Sequence, residues 1–353
     1  MNLMKSHRRW NPLKEEWVLV SPLRCQRPWR GAVEKVFEEK LPQYDPECYL
    51  CPGNRRASGE VNSQYKDVYA FTNDFAALRP PEESSQIESL KNLAGIIRSK
   101  VEQGTCRVVC FSPRHDLTLP ELNLSAVRHV VDLWVEEYEN LGAKSYINHV
   151  LIFENKGQMM GCSNPHPHGQ IWATESIPNI PAKSLVSQEA YFAKYKRKLL
   201  SDYLEWELKE EERIIAKNEH WVVLVPFWAV WPFETMVLPR RLVGAITELT
   251  EEEKDAWAAI LKNITTRYDN LFNTSFPYSM GIYQRPTDRG EWAGHHLHQI
   301  FLPPLLRSAT VRKFMVGFEL GAEPQRDITA ERAAAQLREC SIKHYKPTPS
   351  ELK

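Results

Sequence analysis

The chain has 353 residues, with 45 lysine and arginine residues against 45 aspartate and glutamate residues, so its formal net charge is zero. This balance argues against a basic nucleic-acid-binding face or attraction to an acidic membrane surface. The first residues lack the apolar core of a signal peptide, and no apolar run approaches the roughly 20 residues of a membrane helix. We therefore expect a cytosolic globular protein.

The first half of the chain carries alternating strand and helix patterns. The segment "EEWVLVSP" predicts a strand that Pro22 closes, and residues 40–60 predict a loop. "CRVVCFSP", "YINHVLIFENKG" and "PHPHGQIWA" have extended patterns. Between the first two of these, apolar residues from Val127 to Tyr138 follow helical spacing, and Ser125 is the expected N-cap.

The same order of elements recurs in the second half. "HWVVLVPFWAVWPFETMVLPR" predicts strands, and the helix pattern that follows has Thr250 as N-cap with Glu253 at the capping-box position. "PYSMGIYQRP" and "HHLHQIFLPPLL" then predict further strands. The repeat predicts a duplicated α+β unit in which each half is a mostly antiparallel sheet with a helix on it.

This repeat also predicts the domain organisation. We expect an N-terminal half over residues 1–180 and a C-terminal half over residues 181–353. The charged helical pattern over 181–215 is expected to be an insertion between the halves, and residues 329–340 predict a further helix.

The stretch "GCSNPHPHGQIWA", from Gly161 to Ala173, carries the strongest chemical signal. Residues two apart face the same side of a strand, so His166, His168 and Gln170 are expected to share one face. The prolines predict a strand at the edge of its sheet, because proline cannot donate to the ladder. A neutral imidazole is a competent nucleophile toward phosphorus when its other nitrogen is held in one tautomer. For an arbitrary His-x-His pair, surface or metal-binding histidines would be the commoner alternative.

The cysteines point toward a metal. Seven cysteines form an odd count without framework spacing, which favours free thiols or metal ligands over disulfides. Cys48 and Cys51 form a C-x-x-C pair, which is half of a tetrahedral zinc site. From the pair alone, a redox or plain structural role is equally open.

The segments "FENKG" and "GCSNPHPHGQIWA" resemble the active-site region of the galactose-1-phosphate uridylyltransferases, within the histidine-triad superfamily. The resemblance extends along nearly the whole chain, through "HRRWNPL", "SPLRCQRPWRG", "FTNDFAAL", "CFSPRHDLTLPEL", "TRYDNLF" and "PPLLRSATVRKFMVGFE". It implies two histidine-triad-like units, each an open half-barrel sheet with flanking helices, the second unit being degenerate. It also implies a homodimer in which each active site is completed across the interface.

The resemblance implies ping-pong transfer of UMP. His168 would attack the α-phosphorus of UDP-glucose, glucose 1-phosphate would leave, and galactose 1-phosphate would then take the uridylyl group to give UDP-galactose. Gln170 stands where histidine-triad hydrolases carry a third histidine, and an amide cannot act as a general acid or base. Ser163 could donate its hydroxyl proton to an oxyanion. These three residues are the predicted catalytic set.

The resemblance also implies a set of substrate contacts. Asn73 and Asp74 would hold the ribose hydroxyls beside Phe71, and Asn155 would lie on the phosphates. Phe318 stands where tyrosine is usual, so a hydroxyl contact is expected to be lost. The complete predicted set is Arg24, Arg27, Ala57, Phe71, Asn73, Asp74, Asn155, Gly161, Cys162, Ser163, Gln170, Lys313, Phe314, Val316, Phe318, Glu319 and Gln325.

For the metal, the resemblance implies that a structural zinc is bound by Cys48, Cys51, His115 and His166, although iron is an alternative. The family's second site uses one glutamate and three histidines, and here the matching positions are Ser184, Tyr283, His298 and Ile300. We therefore predict one metal per subunit, unless His295 and His296 rebuild the second site.

Three other functions compete with UMP transfer as explanations of the sequence. A related transferase or phosphorylase could act on another nucleotide sugar such as ADP-glucose. A non-enzymatic nucleotide-binding protein would not be expected to retain His168, Gln170, Ser163, Asn73 and Asp74 together. A purely structural zinc protein would not explain the H-P-H-G-Q strand.

Overall fold

The structure is a computed structural model that describes residues 5–26, 41–81 and 96–347, without the side chains of residues 25 and 26. The strands are β1 (His7–Asn11), β2 (Glu16–Val20), β3 (Tyr69–Thr72), β4 (Gly104–Cys110), β5 (His149–Lys156), β6 (His168–Thr174), β7 (Ile214–Lys217), β8 (Trp221–Leu224), β9 (Thr235–Pro239), β10 (Tyr278–Tyr283), β11 (His298–Leu302), β12 (Leu305–Ser308), β13 (Val311–Arg312) and β14 (Gln325–Arg326). The α-helices are α1 (Leu124–Gly142), α2 (Asn179–Tyr195), α3 (Leu199–Glu210), α4 (Glu251–Phe272), α5 (Phe318–Gly321) and α6 (Ala330–Glu339).

A nine-stranded sheet in the order β3-β4-β6-β5-β10-β11-β9-β8-β7 forms the centre of the fold. Every neighbouring pair in it is antiparallel. The order β4, α1, β5, β6 in the first half recurs as β9, α4, β10, β11 in the second. The predicted α+β duplication is confirmed, and the two units join where β5 pairs with β10.

One face of this sheet forms the main core. On β5 the side chains alternate, so Val150 and Ile152 are buried under the helices while Asn155 is only half-buried on the other face. Helices α1 and α4 cover the core face and meet through Trp134 and Trp257, whose ring centroids lie 5.7 Å apart. Full burial of an apolar side chain of this size contributes about 2 kcal/mol.

The opposite face differs between the two units. In the C-terminal unit, α3 packs Leu200 and Leu204 into a second core with Met236 and Leu238 of β9. In the N-terminal unit, the same face carries the half-buried side chains of His168 and Gln170. The helices therefore leave this face of the N-terminal unit partly open for a site.

Of the two helix N-caps predicted from the sequence, one is confirmed. Thr250 caps α4 and forms the predicted capping box with Glu253. For α1, the prediction of Ser125 as N-cap is wrong, because the side chain of Asn123 accepts a hydrogen bond from the backbone N–H of Ala126 at 2.8 Å. Both residue types cap well, so composition alone could not choose between them.

The prediction that the His-Pro-His strand lies at a sheet edge is also wrong. β6 runs between β4 and β5 and pairs with both. Pro165 and Pro167 precede the first residue of the strand, His168, so no ladder donor is lost. His166 consequently lies before the strand, while His168 and Gln170 share a strand face as predicted.

The remaining elements pack around the C-terminal unit. The segment predicted as an insertion forms two helices, α2 and α3. Helix α6 lies where the C-terminal helix is predicted. Glu331 of α6 accepts hydrogen bonds from Arg9 of β1 at 2.9 Å and from Arg213 at 2.7 Å. Burial opposes ionisation of Glu331, but these arginines outweigh it and lower its pKa to about 2. No helix in the described ranges is long and apolar enough to cross a membrane.

Candidate active site and metal cluster

The predicted metal ligands meet in one buried cluster. One ligand atom from each of Cys48, Cys51, His115 and His166 can be chosen so that all four lie within 4.8 Å of one another. The Cys51 Sγ atom lies 3.7 Å from His115 Nδ1 and 3.5 Å from His166 Nδ1. A tetrahedral site with Zn–S near 2.3 Å and Zn–N near 2.05 Å has S···N edges of about 3.6 Å. The cluster therefore has the donor set and the spacing of a closed zinc site.

Hydrogen bonds around the cluster prepare its ligands. His166 Nε2 lies 2.9 Å from the carbonyl oxygen of Ser112, to which it can donate, and 3.0 Å from the Tyr65 hydroxyl, which itself donates to Leu50 O. This places the proton of His166 on Nε2 and leaves Nδ1 with a free lone pair toward Cys51. The backbone N–H of Leu50 and the Asn164 side-chain amide both contact the Cys48 sulfur.

Burial favours uncharged ligands at this place. It raises the pKa of the Cys51 thiol to about 11 and lowers the pKa of His166 to about 3. A divalent cation reverses the first of these preferences, because a coordinated thiol loses its proton. The neutral imidazole of His166 is already in the form that binds a metal.

His168 is held in a single tautomer at the start of β6. Its Nδ1 lies 2.8 Å from the carbonyl oxygen of His166, so Nδ1 donates its proton there and Nε2 keeps a lone pair. Burial lowers the pKa of His168, which keeps the ring neutral near pH 7. A neutral imidazole fixed by its remote nitrogen is the form that a nucleophilic histidine requires.

A cavity of about 170 Å³ lies beside His168. It brings together His168 with Ser163, Cys162 and Asn155 of the predicted set. The lining residues are Leu41, Thr118, Glu154, Asn155, Lys156, Gly157, Gln158, Cys162, Ser163, Pro165, His166, Pro167, His168 and Ser275. Gly161 adjoins them in a turn with a φ of 78°, a left-handed conformation that favours glycine.

Two further polar groups belong to this face of the sheet. Gln170 lies opposite Phe153 of β5 in the antiparallel register, so Gln170 and Asn155 point to the same side. The Trp172 indole N–H donates to Gln170 Oε1 at 3.4 Å. The hydroxyl of Ser279, on β10, donates to Asn155 Oδ1 at 2.6 Å.

The predicted ribose and uracil residues lie on β3 and the loop after it. Asp74 accepts hydrogen bonds from Arg56 and from the backbone N–H of Ser58, each at 3.1 Å. The side-chain oxygen of Asn73 accepts a hydrogen bond from the backbone N–H of Phe75, two residues along the chain. Phe71 is buried with the Arg56 guanidinium over its ring at 4.2 Å, and Ala57 is exposed in the neighbouring turn. Contacts of these residues with a nucleoside stay predictions.

The C-terminal members of the predicted set form a separate group. Lys313 is buried, and its Nζ lies 3.2 Å from Glu319 Oε1 and 2.5 Å from the Gln325 carbonyl oxygen. Arg24 and Gln325 both donate to Asp327. None of these residues lines the described part of the cavity beside His168. Arg27 lies outside the described residues.

The same segment exposes apolar side chains. The exposed fractions of Phe314, Val316, Phe318 and Leu320 are 42%, 56%, 50% and 76%. Leu320 also lines the cavity of about 360 Å³ on the C-terminal unit.

The positions that match the family's second metal site line another cavity, of about 360 Å³, on the C-terminal unit. Ser184, Tyr283, His298 and Ile300 all contribute to it. His296 has each ring nitrogen close to a backbone carbonyl, of Val243 at 3.1 Å and of Pro239 at 3.2 Å. Because these contacts occupy His296, that residue is a poor replacement ligand, and the loss of the second metal stays a prediction.

Sequence reasoning missed the residues that support the site from a distance. Ser112 and Tyr65 orient His166, and Ser279 contacts Asn155. The serine is 124 residues from its partner, and only the pairing of β5 with β10 brings them together. Local sequence patterns carry no signal for contacts between residues so far apart.

The fold is similar to that of two solved enzymes. A solved uridylyltransferase structure has a TM-score of 0.73 at 25% identity, covering 95% of this chain and 98% of that one. A solved ADP-glucose phosphorylase from Arabidopsis thaliana, with bound ADP-glucose, has a TM-score of 0.76 at 22% identity, covering 96% and 100%. The chain thus has a duplicated α+β fold that it shares with these two enzymes.

The sequence comparisons identify the family. The family models of the N-terminal and C-terminal domains of galactose-1-phosphate uridyl transferase match residues 1–178 and 184–348. The galactose-1-phosphate uridylyltransferase of Haemophilus influenzae is 52% identical over 344 residues, which cover 96% of each chain. The chain belongs to the galactose-1-phosphate uridylyltransferase family.

Proposed function

We propose that this protein exchanges UMP between UDP-glucose and galactose 1-phosphate, giving UDP-galactose and glucose 1-phosphate in galactose metabolism. Membership of the family over almost the full chain supports this reaction. The observation that carries the mechanism is the single tautomer of His168, whose Nδ1 donates to the His166 carbonyl oxygen at 2.8 Å.

In the first step, the Nε2 lone pair of His168 attacks the α-phosphorus of UDP-glucose. A phosphorus–nitrogen bond forms, the phosphorus–oxygen bond breaks, and glucose 1-phosphate leaves with the bonding electron pair. The ring becomes cationic, and its Nδ1–H bond to the His166 carbonyl oxygen strengthens as that charge develops. In the second step, a phosphate oxygen of galactose 1-phosphate displaces His168 and restores the neutral ring.

Other cavity residues are suited to the phosphoryl oxygens. Ser163 and the half-buried amide of Asn155 both line the cavity beside His168, and both can donate to developing negative charge. The Gly161–Cys162–Ser163 turn would let the backbone approach the same oxygens closely. Asn73, Asp74, Ala57 and Phe71 are proposed to hold the uridine.

We further propose that the four-ligand cluster holds one structural zinc per subunit. A bound metal would fix the ring of His166, whose backbone carbonyl oxygen accepts the Nδ1 proton of His168. Four side chains would hold it, so such a site would offer no open position to a substrate. Its contribution is to hold the nucleophile in place.

A homodimer is part of this proposal. Phe314, Val316 and Phe318 are exposed on the segment that also carries Lys313 and Glu319, and this segment does not line the described cavity beside His168 of its own chain. We propose that this segment and Gln325 contribute hexose and phosphate contacts to the active site of a second copy, and that Arg24 and Arg27 contact the phosphates. The cytosolic location stays an expectation from the sequence.

The donor substrate is tested by labelling. We expect UDP-glucose alone to leave a uridylyl adduct on the intact protein, detected by mass spectrometry, and we expect ADP-glucose at the same concentration to leave at most a trace. Adenylylation by ADP-glucose in place of uridylylation would reject the proposed reaction. It would favour the alternative, a transferase or phosphorylase acting on ADP-glucose.

Gln170 makes a separate prediction about hydrolysis. An amide can hydrogen-bond a phosphoryl oxygen but cannot activate water, so the intermediate persists until a sugar phosphate arrives. We expect Gln170→His to raise hydrolysis of UDP-glucose, without an acceptor, by roughly tenfold or more. Release of UMP measures this reaction.

The matched control for this variant is Gln170→Asn, which keeps an amide and adds no base. It is expected to slow transfer without raising UMP release. An unchanged rate of UMP release in Gln170→His would show that the amide does not protect the intermediate.

A further inference from the structure

The polar end of β5 is held by side chains from the C-terminal unit. Glu154 accepts a hydrogen bond from the Tyr278 hydroxyl at 2.9 Å, and Lys156 forms an ion pair with Asp269 at 2.7 Å. These two residues alternate toward the core face, while Asn155 between them points to the face of His168. The side chain that hydrogen-bonds Asn155 therefore lies on the active-site face of the sheet.

That partner is Ser279. The two residues lie directly opposite each other in the β5–β10 pair, and the Ser279 hydroxyl contacts Asn155 Oδ1 at 2.6 Å. This distance is typical of an O–H···O bond, whereas an N–H···O bond is usually nearer 2.9 Å. The short contact therefore favours the amide orientation in which Oδ1 faces Ser279.

This orientation has a chemical consequence. With Oδ1 turned to β10, the two N–H groups of Asn155 are turned away from Ser279, and Asn155 is the residue of this pair that lines the cavity beside His168. A phosphoryl oxygen requires donors, so the opposite orientation would present a repelling oxygen lone pair instead. The orientation of one amide thus decides whether the group attracts or repels the reacting phosphate.

We infer that Ser279 is a positioning residue for uridylyl transfer, which fixes the Asn155 amide with its donors toward the phosphoryl oxygen. Ser279 is absent from the described lining of the cavity and acts through Asn155. The inference rests on the proposed function, since it assumes that phosphate binds beside His168. It also assigns the C-terminal unit a positioning role in the chemistry of the N-terminal one.

The first test compares Ser279→Ala with Ser279→Thr. We expect Ser279→Ala to lower kcat about tenfold with less than a twofold change in KM for UDP-glucose, because a donor that strengthens in the transition state is weakened. Ser279→Thr keeps the hydroxyl and is expected to recover most of the rate. Ser201→Ala, on α3 and outside the described lining of both cavities, is the matched control and should behave as the unaltered protein.

A double-mutant cycle separates positioning from a structural effect. If Ser279 acts through Asn155, then Ser279→Ala should cost nothing further in the Asn155→Ala background, because the amide it positions is gone. Metal content and thermal midpoint of Ser279→Ala should match the unaltered protein. Effects that multiply in the double variant, or a rate for Ser279→Ala within twofold of the unaltered protein, would overturn the inference.

The labelling experiment keeps this result distinct from the proposed function. Absence of a uridylyl adduct in the unaltered protein would reject the proposed function itself. An adduct that forms equally fast in the unaltered protein and in Ser279→Ala would reject only the role of Ser279.

Discussion

The variant His168→Ala is expected to form no uridylyl adduct and to lose at least about 10⁴-fold in kcat for exchange between UDP-glucose and galactose 1-phosphate. The reason is that His168 lines the cavity and keeps a fixed, neutral lone pair on Nε2, whereas His166, the other histidine in the described lining, directs its lone pair toward Cys51. Intact-protein mass spectrometry after incubation with UDP-glucose alone measures the first half-reaction. Steady-state formation of UDP-galactose measures the complete cycle.

The control for this variant is His129→Ala, which removes a histidine from the partly exposed surface of α1. It should keep full labelling and turnover, so that loss of any histidine is not mistaken for loss of the nucleophile. Peptide mapping of the labelled protein should place the uridylyl group on His168. An adduct that forms in His168→Ala at the normal rate would make the proposed nucleophile wrong.

Local patterns carried much of the fold. Helix α4 begins where Thr250 and Glu253 predicted it, because a capping box satisfies backbone donors within one turn of chain. The repeated strand and helix order predicted two similar units, since each pattern depends only on neighbouring residues. The shift of the α1 cap from Ser125 to Asn123 shows the limit, because two good caps stood two residues apart.

Long-range pairing was the part that local patterns could not supply. The prolines before His168 predicted an edge strand, yet β6 is an interior strand because its ladder begins only after the last proline. The same limit hid Ser279, whose importance arises from the pairing of β5 with β10. Contacts of this kind depend on which strands become neighbours, and that is decided by the whole core.

The residues predicted for the candidate site lie in separate groups in the structure. Cys48, Cys51, His115 and His166 come together as the family resemblance implied, and so do His168, Ser163 and Asn155. Lys313, Glu319 and Gln325 instead bind one another and Arg24's partner Asp327 in a separate group. The predicted substrate residues therefore fall into two groups within the described part of the chain.

The second large effect is expected from the metal cluster, through Cys51→Ser. Cys51 Sγ lies 3.7 Å from His115 Nδ1 and 3.5 Å from His166 Nδ1, so its loss removes one of the four ligands that the cluster brings together. We expect the bound metal to fall from one equivalent per chain to a trace, and the thermal midpoint to fall by about 10 °C or more. Elemental analysis and thermal unfolding measure these two changes, and elemental analysis also distinguishes zinc from iron.

Activity should also fall when the metal is lost, because in the proposed mechanism the cluster holds His168 in place. Freed from the cluster, His166 no longer holds its carbonyl oxygen against His168 Nδ1, so labelling by UDP-glucose should slow by about 100-fold even in protein that is still folded. Cys340→Ser, at the end of α6, is the matched cysteine control and should keep metal and rate. Two equivalents of metal in the unaltered protein would contradict the single site, and normal labelling in metal-free Cys51→Ser would separate the nucleophile from the cluster altogether.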